Sequence, residues 1–456
     1  MHCERRIFCK LPPFTKKRTK ENQAMIRQFF RQAWTMMKQH KLFTGMYIAG
    51  TAISIAMAMA VIITLYIKLG PLYPEYNRGR MLSFVWIQEF HKSDDYSEFG
   101  AATQQLVDAI RKEAKQIDKM CIRLRSTHDK QLITNVKNNT DTAEELEYVN
   151  SEYWRFFDFR FIHGRGFNES DEYEPVAVIT STLADKLFAR HDVCGEYVSI
   201  GSTPHKIVGV VEPSTTDRVE GYTSGNIWAP AYYMDKLQNS DKEIIGNKQM
   251  FMLAKSAHEV DALKNEIKDI FNKYIQQFSG YDDSEFHLSL IKHWENAFQL
   301  YETFGKEGNL FDGIAKYLYA ILAFLFIPAL NLCGMISTRM NSRLDEIGVR
   351  RAYGATTRQI ISQVLYENLL LTFAGAIVGL LLSYLLVAGG YNWILTLLDT
   401  GIHQQPTSRL TMEMLLNPTI VAIVLLVTVV LNIASALVPT VLALRTNIIE
   451  SLYNRR

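Results

Sequence analysis

The chain has 456 residues, enough for two or three domains on length alone, and its 49 Lys and Arg nearly balance its 47 Asp and Glu. A mean hydropathy of −0.04 hides strong segregation, because the apolar residues gather in a few long runs. Five cysteines are too few and too scattered for a disulfide framework or a metal-binding knuckle. Cys121 and Cys194 share one segment, and the sequence leaves open whether they form a disulfide.

The N-terminal residues 1–24 are basic and show no apolar period. They allow two interpretations: a disordered tail that touches anionic lipid, or a start assigned too early, with Met25 as the true first residue. We favour the second. In residues 25–41, apolar side chains recur at helical spacing opposite basic ones, which predicts an amphipathic helix on the cytoplasmic membrane surface.

Four apolar runs contain no Asp, Glu, Lys or Arg, and each exceeds the ~20 residues that a helix needs to cross a bilayer. The predicted spans are residues 42–67, 317–338, 368–390 and 418–444. In the first span, the small residues Gly45, Ala49, Ala52 and Ala56 recur at three- to four-residue spacing. This pattern predicts a close contact with another helix, although a plain membrane helix also accommodates it.

The charges between the spans predict the topology. Residues 1–41 carry 11 Lys and Arg against 2 Asp and Glu, residues 339–367 carry 5 against 3, and residues 445–456 carry 3 against 1. Residues 68–316 instead carry 29 against 39, and the short loop 391–417 carries 1 against 2. Positively charged loops stay in the cytoplasm, so we predict cytoplasmic termini and an exported segment 68–316. The predicted fold is four transmembrane α-helices with a large extracytoplasmic domain between the first and second spans.

Short strand patterns alternate with helical patterns in residues 68–316, which predicts an α+β domain and not an all-β sandwich. The predicted helices are 97–120, an aromatic-rich helix within 148–167 that ends near Gly164, a helix capped at Ser181 or Thr182 that ends at Phe188, 258–274, and 294–304. The predicted strands are 121–125, 176–179, 196–200, 205–211, 249–254 and 286–291. The dense aromatic residues of 148–167 favour a hydrophobic core over a ligand cage.

The cytoplasmic segment 339–367 predicts two helices that meet at a corner. Gly354 fits a helix end in the left-handed conformation, and Thr356 with Gln359 fits a capping box that starts the next helix. From periodicity alone, the first helix either lies among lipid headgroups or docks into another protein. Pro328, in the middle of the second span, predicts a kink that is either tolerated or a functional hinge.

The string EIGVRRAYGATTRQI, followed by an apolar span, resembles the signature of the MacB/FtsX-like permeases of ABC transporters. The matching residues are Glu346, Ile347, Gly348, Arg350, Arg351, Gly354, Ala355 and Thr356. The resemblance implies that this segment, with Arg343 before it, is a coupling helix pressed against a cytoplasmic ATPase. Residues 175–211, which end in IVGVV, resemble the periplasmic core domain of the same family, so the resemblance places residues 68–316 in the periplasm and the spans in the inner membrane.

Several kinds of catalytic motif are missing from the sequence. There is no GxxxxGK[ST] phosphate-binding loop, no HExxH, no CxxC pair and no GxSxG, and the histidines of residues 68–316 are dispersed. Glu367, at the mouth of the third span, is expected to reach the membrane surface. We therefore expect no catalytic residue, no metal and no cofactor on this chain, with ATP and Mg²⁺ bound by a partner ATPase.

The leading hypothesis is a non-catalytic permease subunit that couples ATP hydrolysis on a separate chain to movement of the exported domain. The resemblance implies a cytoplasmic ATPase, a second permease copy in a homo- or heterodimer, and a periplasmic adaptor, with no nucleic acid. The cargo stays open among drugs, peptides and lipoproteins, with efflux or extraction favoured. The alternatives are a membrane-anchored receptor or scaffold and an FtsX-type regulator of envelope proteins. An integral-membrane enzyme has no residues to support it.

Overall fold

The structure is a computed structural model of the whole chain. It describes residues 41–92, 96–125, 130–214, 222–223, 225–238, 244–278, 283–298, 348–350, 353–398 and 418–445, with isolated positions at 35 and 38 and between 311 and 337. The predicted N-terminal tail, most of the predicted interfacial helix and Pro328 lie outside the described residues, as do Arg343, Glu346, Ile347 and Arg351.

Three long helices coincide with predicted spans. Helix α1 is Lys41–Leu69, and helices α8 and α9, numbered in chain order, are Thr357–Leu398 and Pro418–Arg445. Within the described residues, Thr44–Ile63 and Thr357–Leu386 are long and apolar enough to cross a membrane. The second predicted span is described only in pieces, so the number of four spans stays a prediction.

Helix α8 is longer than the predicted third span. Its 42 residues extend about 63 Å at 1.5 Å per residue, twice the thickness of a bilayer core. It begins within the predicted cytoplasmic loop 339–367 and ends within the predicted loop 391–417. The hydrophobic pattern marked the apolar part of the helix, whereas the polar first turns, which contain the helix formers Gln363 and Glu367, continue the same backbone.

Residues 70–298, called here the sheet domain, contain one mixed sheet that has 13 strands among the described residues. The strands are β1 Met81–His91, β2 Tyr96–Gly100, β3 Ile117–Leu124, β4 Gln131–Asn135, β5 Asp141–Glu144, β6 Leu146–Val149, β7 Phe161–Gly164, β8 Val176–Thr180, β9 Tyr197–Ile200, β10 Thr203–Val211, β11 Ile227–Pro230, β12 Lys248–Ala254 and β13 Ser284–Lys292. The order of the strands in the sheet is β13-β1-β12-β3-β6-β11-β8-β10-β9-β4-β5, with β2 paired to β1 and β7 paired to β10. The pairs β8–β10 and β6–β11 are parallel, and the others are antiparallel.

Short helices cover the sheet and bury its apolar residues. They are α2 Gln104–Glu113, α3 Tyr153–Phe156, α4 Ser181–Phe188, α5 Ala231–Gln238, α6 Val260–Ile275 and α7 His293–Ala297. Helices α2 and α6 pack on β1 and β12 in one core, and α4 packs on β8 and β10 in another. The domain is therefore α+β, as predicted.

The prediction was accurate where the sequence pattern was regular. The strand, helix and paired strands predicted in residues 175–211 correspond to β8, α4, β9 and β10. Helix α4 is capped by Thr180, one residue before the predicted Ser181, because the Thr180 Oγ1 accepts the N–H of Leu183 at 3.2 Å. Helix α6 buries the six apolar positions that its spacing indicated, and they are Val260, Leu263, Ile267, Ile270, Phe271 and Tyr274.

Two predicted helices were wrong in extent. The predicted helix 97–120 is a strand, β2, followed by α2 and the start of β3, because the Thr103 side chain caps a helix that begins only at Gln104. The predicted aromatic helix within 148–167 contains only the single turn α3, between β6 and β7. Burial of the aromatic rings against the sheet outweighs local helix propensity there.

The aromatic residues of 148–167 do form a core, as predicted. The rings of Tyr153 and Trp154 pack against Phe159, and Trp154 also contacts Trp228 of β11. The buried Glu147 carboxylate accepts hydrogen bonds from Trp228 Nε1 at 3.2 Å and from the Tyr153 hydroxyl at 3.3 Å. Burial raises the pKa of Glu147, and the polar contacts oppose this effect.

The structure contains no bond between the two cysteines of the sheet domain. Cys121 is a free thiol buried in β3, and Cys194 is a free, exposed thiol. Burial raises the pKa of both thiols, that of Cys121 well above its usual value, so neither is an activated nucleophile.

Candidate coupling site

The predicted corner contains a left-handed glycine. Residues 348–350 are helical, and this helix ends where the Tyr353 N–H donates to the Val349 carbonyl at 3.1 Å. Gly354 follows with a φ of +90°, a conformation that costs a residue with a Cβ. The Ala355 N–H then donates to the Arg350 carbonyl at 3.0 Å, the long-range bond of a Schellman motif. The predicted role of Gly354 in the helix end is confirmed.

The next helix begins with the predicted capping box. The Thr356 N–H donates to Gln359 Oε1 at 2.9 Å, and the Gln359 N–H donates to Thr356 Oγ1 at 3.4 Å. These bonds satisfy two backbone donors at the start of α8. We call residues 348–350 and 353–359 the Gly354 corner; its geometry fixes the direction in which the short helix leaves α8.

A chain of side-chain hydrogen bonds ties the corner to the body of α8. The Arg350 guanidinium donates to Gln363 Oε1 at 2.6 Å, and Gln363 Nε2 donates to Glu367 Oε1 at 3.1 Å. Glu367 is only 3% exposed; the expectation that it reaches the membrane surface stays a prediction. Its carboxylate lies at the end of this chain of hydrogen bonds.

The outer face of the corner is exposed. Tyr353 is 89% exposed and Val349 is 57% exposed, and the Arg358 side chain of the next helix is also exposed. Tyrosine is among the residues enriched at the energetically important positions of protein interfaces, so this exposed ring is a candidate contact for a partner. Five predicted site residues, Gly348, Arg350, Gly354, Ala355 and Thr356, meet in this corner. Val349, Tyr353 and Gln363 were not predicted; an exposed tyrosine beside a glycine turn was the available signal.

Helix α8 packs closely against α1. A Cβ on Gly375 would lie 2.8 Å from the Cβ of Thr51, and a Cβ on Gly379 would lie 2.8 Å from the carbonyl oxygen of Ala52. The Tyr47 and Thr372 hydroxyls lie 3.4 Å apart in the same buried contact. The two glycines are four residues apart, so they let the helix backbones approach as small residues do in membrane helices.

The contact face of α1 differs partly from the predicted one. Ala52 and Ala56 are buried, as the small-residue pattern predicted, whereas Gly45 and Ala49 are exposed. The small residues of the first span therefore correctly indicated that this helix packs closely against another helix. The decisive pair, Gly375 and Gly379, lies on the other helix and was not predicted.

Among the described residues, no group of three or more His, Cys, Asp or Glu side chains is close enough to hold a metal ion. Among its described side chains, the Gly354 corner carries a basic Arg350 and an exposed Tyr353 ring, and no pair of a nucleophile and a base.

Two protein-family models match the chain in succession. The MacB-like periplasmic core domain matches residues 44–270, and the FtsX-like permease C-terminal domain matches residues 318–448. The chain belongs to the MacB/FtsX-like ABC transporter permease family. The sheet domain is accordingly the extracytoplasmic domain of such a permease, and the Gly354 corner lies in the FtsX-like part.

Two curated relatives give the level of similarity. The macrolide export ATP-binding/permease protein MacB of Nitrobacter winogradskyi is 23% identical over 363 residues, which are 79% of this chain and 52% of the relative. The uncharacterized ABC transporter permease YknZ of Bacillus subtilis is 23% identical over 250 residues, 54% of this chain and 57% of the relative. Across these two and six further curated relatives, the matches cover between 35% and 57% of the relative's length.

A solved structure of the periplasmic region of MacB from Actinobacillus actinomycetemcomitans is similar to the chain at a TM-score of 0.34 and 15% identity. The match covers 48% of this chain and 92% of that structure.

Proposed function

We propose that this chain is the permease subunit of an ABC transporter whose ATPase is a separate cytoplasmic polypeptide. The observation that carries the proposal is the Gly354 corner, where an exposed Tyr353 and Val349 stand on a turn fixed by hydrogen bonds on both sides. A docking partner can therefore push on a defined surface and not on a loose loop. ATP and Mg²⁺ belong to the partner, and the chain itself carries no catalytic step.

The movement received at the corner passes into α8 through Arg350, Gln363 and Glu367. Helix α8 then acts on α1 through the glycine contacts. This route uses the third predicted span and the first. The proposed unit is two permeases with two ATPases in the inner membrane, with four spans per permease, both termini in the cytoplasm and the sheet domain in the periplasm.

The proposed work is export or extraction of a drug, a peptide or a lipoprotein, with a periplasmic adaptor as a further partner. The relative from Nitrobacter winogradskyi is named for macrolide export, which supports efflux as the class of activity. We expect the partner ATPase to co-purify with this chain and to contain a phosphate-binding loop in its sequence.

The test compares a variant of the exposed corner with a matched change elsewhere. Tyr353→Asp places a charge on the docking face without touching the bonds of the turn, and we expect at least a tenfold loss of ATPase co-purification and of ATPase stimulation. Tyr197→Asp, an equally simple change at an exposed position of β9, should alter neither.

Arg350→Glu is the second arm. This change breaks the hydrogen bond from Arg350 to Gln363. We therefore expect the Arg350→Glu variant to bind the ATPase more strongly than the Tyr353→Asp variant does, and to stimulate ATP hydrolysis less than the unaltered protein does. Unchanged co-purification and stimulation in Tyr353→Asp would contradict the proposal. If no ATPase co-purifies with the unaltered protein, the receptor or scaffold alternative gains support.

A further inference from the structure

Four ionisable side chains are buried where α1 enters the sheet domain. Lys68, Glu75, Arg78 and His293 are each at most 4% exposed, although such groups are normally left in water. Removing a charge from water is costly unless partners compensate it. The partners of these four side chains show which segments the cluster connects.

Glu75 and Arg78 connect three segments. The Arg78 Nε donates to Glu75 Oε2 at 2.9 Å, and another guanidinium nitrogen donates to the Gly70 carbonyl at 3.1 Å, directly after α1. The second oxygen of Glu75 accepts the Tyr222 N–H at 2.7 Å and the Thr223 hydroxyl at 2.8 Å. The ion pair therefore holds the end of α1 against the segment that precedes β11.

Lys68 and His293 connect two further segments. The His293 Nε2 lies 2.7 Å from the Lys68 carbonyl, to which it donates, and the Lys68 ammonium donates to the Ala297 carbonyl at the end of α7 at 3.4 Å. The same ammonium lies 5.9 Å from the ring of Tyr317, the first residue of the second predicted span. The neutral imidazole fits this geometry, because burial lowers the pKa of His293 to about 4.

Both ends of the cluster lead into neighbouring strands. The turn at Arg78–Arg80 continues directly into β1, and β13 continues directly into α7. Strands β1 and β13 are paired along nine registered positions, starting at Leu82 and Lys292 beside the cluster. A displacement of α1 or of the segment at Tyr317 thus acts on the same end of one strand pair.

We infer that Lys68, Glu75, Arg78, His293 and Tyr317, the Lys68 junction, are positioning residues that pass movement of the first and second predicted spans to strands β1 and β13. The inference rests on the proposed function and deepens it. A salt-bridged and hydrogen-bonded junction transmits a displacement because its members cannot separate without exposing unpaired charge in the interior. A purely static anchor predicts the same contacts but no response of the strands to ATP.

The experiment measures amide hydrogen exchange of the full permease bound to its ATPase, with and without ATP. In the unaltered protein we expect ATP to change exchange severalfold in the Gly354 corner and in β1 and β13. Lys68→Met should keep the change at the corner and lose it in the strands. Lys248→Met is the matched control: Lys248 is equally buried and pairs with Asp235 at 3.0 Å, outside the junction, and its loss should leave both changes intact.

Conservative variants separate transmission from folding. Lys68→Arg and His293→Gln keep a donor and should retain the response of the strands, whereas His293→Leu should lose it. The inference is overturned if Lys68→Met and His293→Leu retain the ATP-dependent change of exchange in β1 and β13. It is also overturned if, in the unaltered protein, ATP changes exchange in the Gly354 corner but not in these strands. If the corner of the unaltered protein does not respond, the proposed function itself fails, and the inference falls with it.

Discussion

Burial lowers the pKa of His293 from 6.5 to about 4, with the Arg78 guanidinium adding to this effect and the Glu75 carboxylate opposing it. In the unfolded chain the His293 imidazole therefore binds a proton below about pH 6.5, whereas in the folded chain it does so only below about pH 4. The contribution of the neutral His293 to the free energy of unfolding is fully present above pH 6.5 and is lost as the pH falls from 6.5 to about 4. The loss from this residue amounts to roughly 3 kcal/mol between pH 7 and pH 4.

The prediction compares the full chain with the His293→Gln variant, which has no titrating group at this position. Urea unfolding followed by tryptophan fluorescence should show a steeper fall of the unfolding free energy with acid in the unaltered protein. The two curves should converge toward pH 4. Parallel curves from pH 7 to pH 4 would show that His293 titrates normally and is not held neutral by its surroundings.

The buried residues of the Lys68 junction were not predictable from the sequence. Lys68 is the first charged residue after an apolar run, where a lysine normally reaches toward water. Glu75 and Arg78 lie in a segment with no periodic pattern, and Tyr222, whose N–H binds Glu75, is 147 positions away from it. Local sequence cannot indicate such burial, because it depends on which distant segments fold together.

At the scale of elements, the contact between α1 and α8 depends on the absence of side chains. A leucine at Gly379 would place its Cβ 2.8 Å from the backbone oxygen of Ala52 and 2.9 Å from the Cβ of Ile55. The backbone cannot yield as a flexible side chain would, so the helices must separate. We expect Gly379→Leu to cost about 1–3 kcal/mol and to lower the thermal unfolding temperature in detergent.

The matched control for Gly379→Leu lies on the same helix. At Gly389 an added Cβ would meet no atom within 4 Å, so Gly389→Leu adds the same side chain without a clash. We expect its unfolding temperature to equal or exceed that of the unaltered protein, because leucine is the better helix former. An equal loss in both variants would mean that the glycines do not set the distance between the helices.

Elements were predictable where one physical signal dominated. The six buried positions of α6 follow its helical period, and the Gly354 corner follows from turn and cap chemistry that acts within a few residues. The extent of α3 was not predictable, because its aromatic residues are buried by strands far away in the chain. The polar start of α8 was missed because a hydropathy pattern detects membrane burial and not helical backbone.

At the scale of the whole molecule, the charge distribution predicts which segments face which side of the membrane. The excess of Lys and Arg in residues 1–41, 339–367 and 445–456, the acidic segment 68–316 and the weakly acidic loop 391–417 together predict four crossings. If Thr44–Ile63 and Thr357–Leu386 were the sole crossings, the Gly354 corner would lie on the opposite side of the membrane from both termini. The second predicted span, residues 317–338, is what places the corner on the same side as the termini. The proposed ATPase contact depends on this arrangement, because ATP is hydrolysed in the cytoplasm.

Cysteine labelling in sealed right-side-out vesicles tests the topology directly. With Cys3, Cys9 and Cys333 replaced by serine, a membrane-impermeant maleimide should label the exposed Cys194 at a mildly alkaline pH that offsets its raised pKa, and should leave the buried Cys121 unlabelled until denaturation. After Cys194 is also replaced, a cysteine at Ser408 should be labelled from outside, because the predicted loop 391–417 is exported. A cysteine at Ser451 should react only after the vesicles are opened. Labelling of position 451 in sealed vesicles, or protection of position 408, would contradict the predicted arrangement of four crossings.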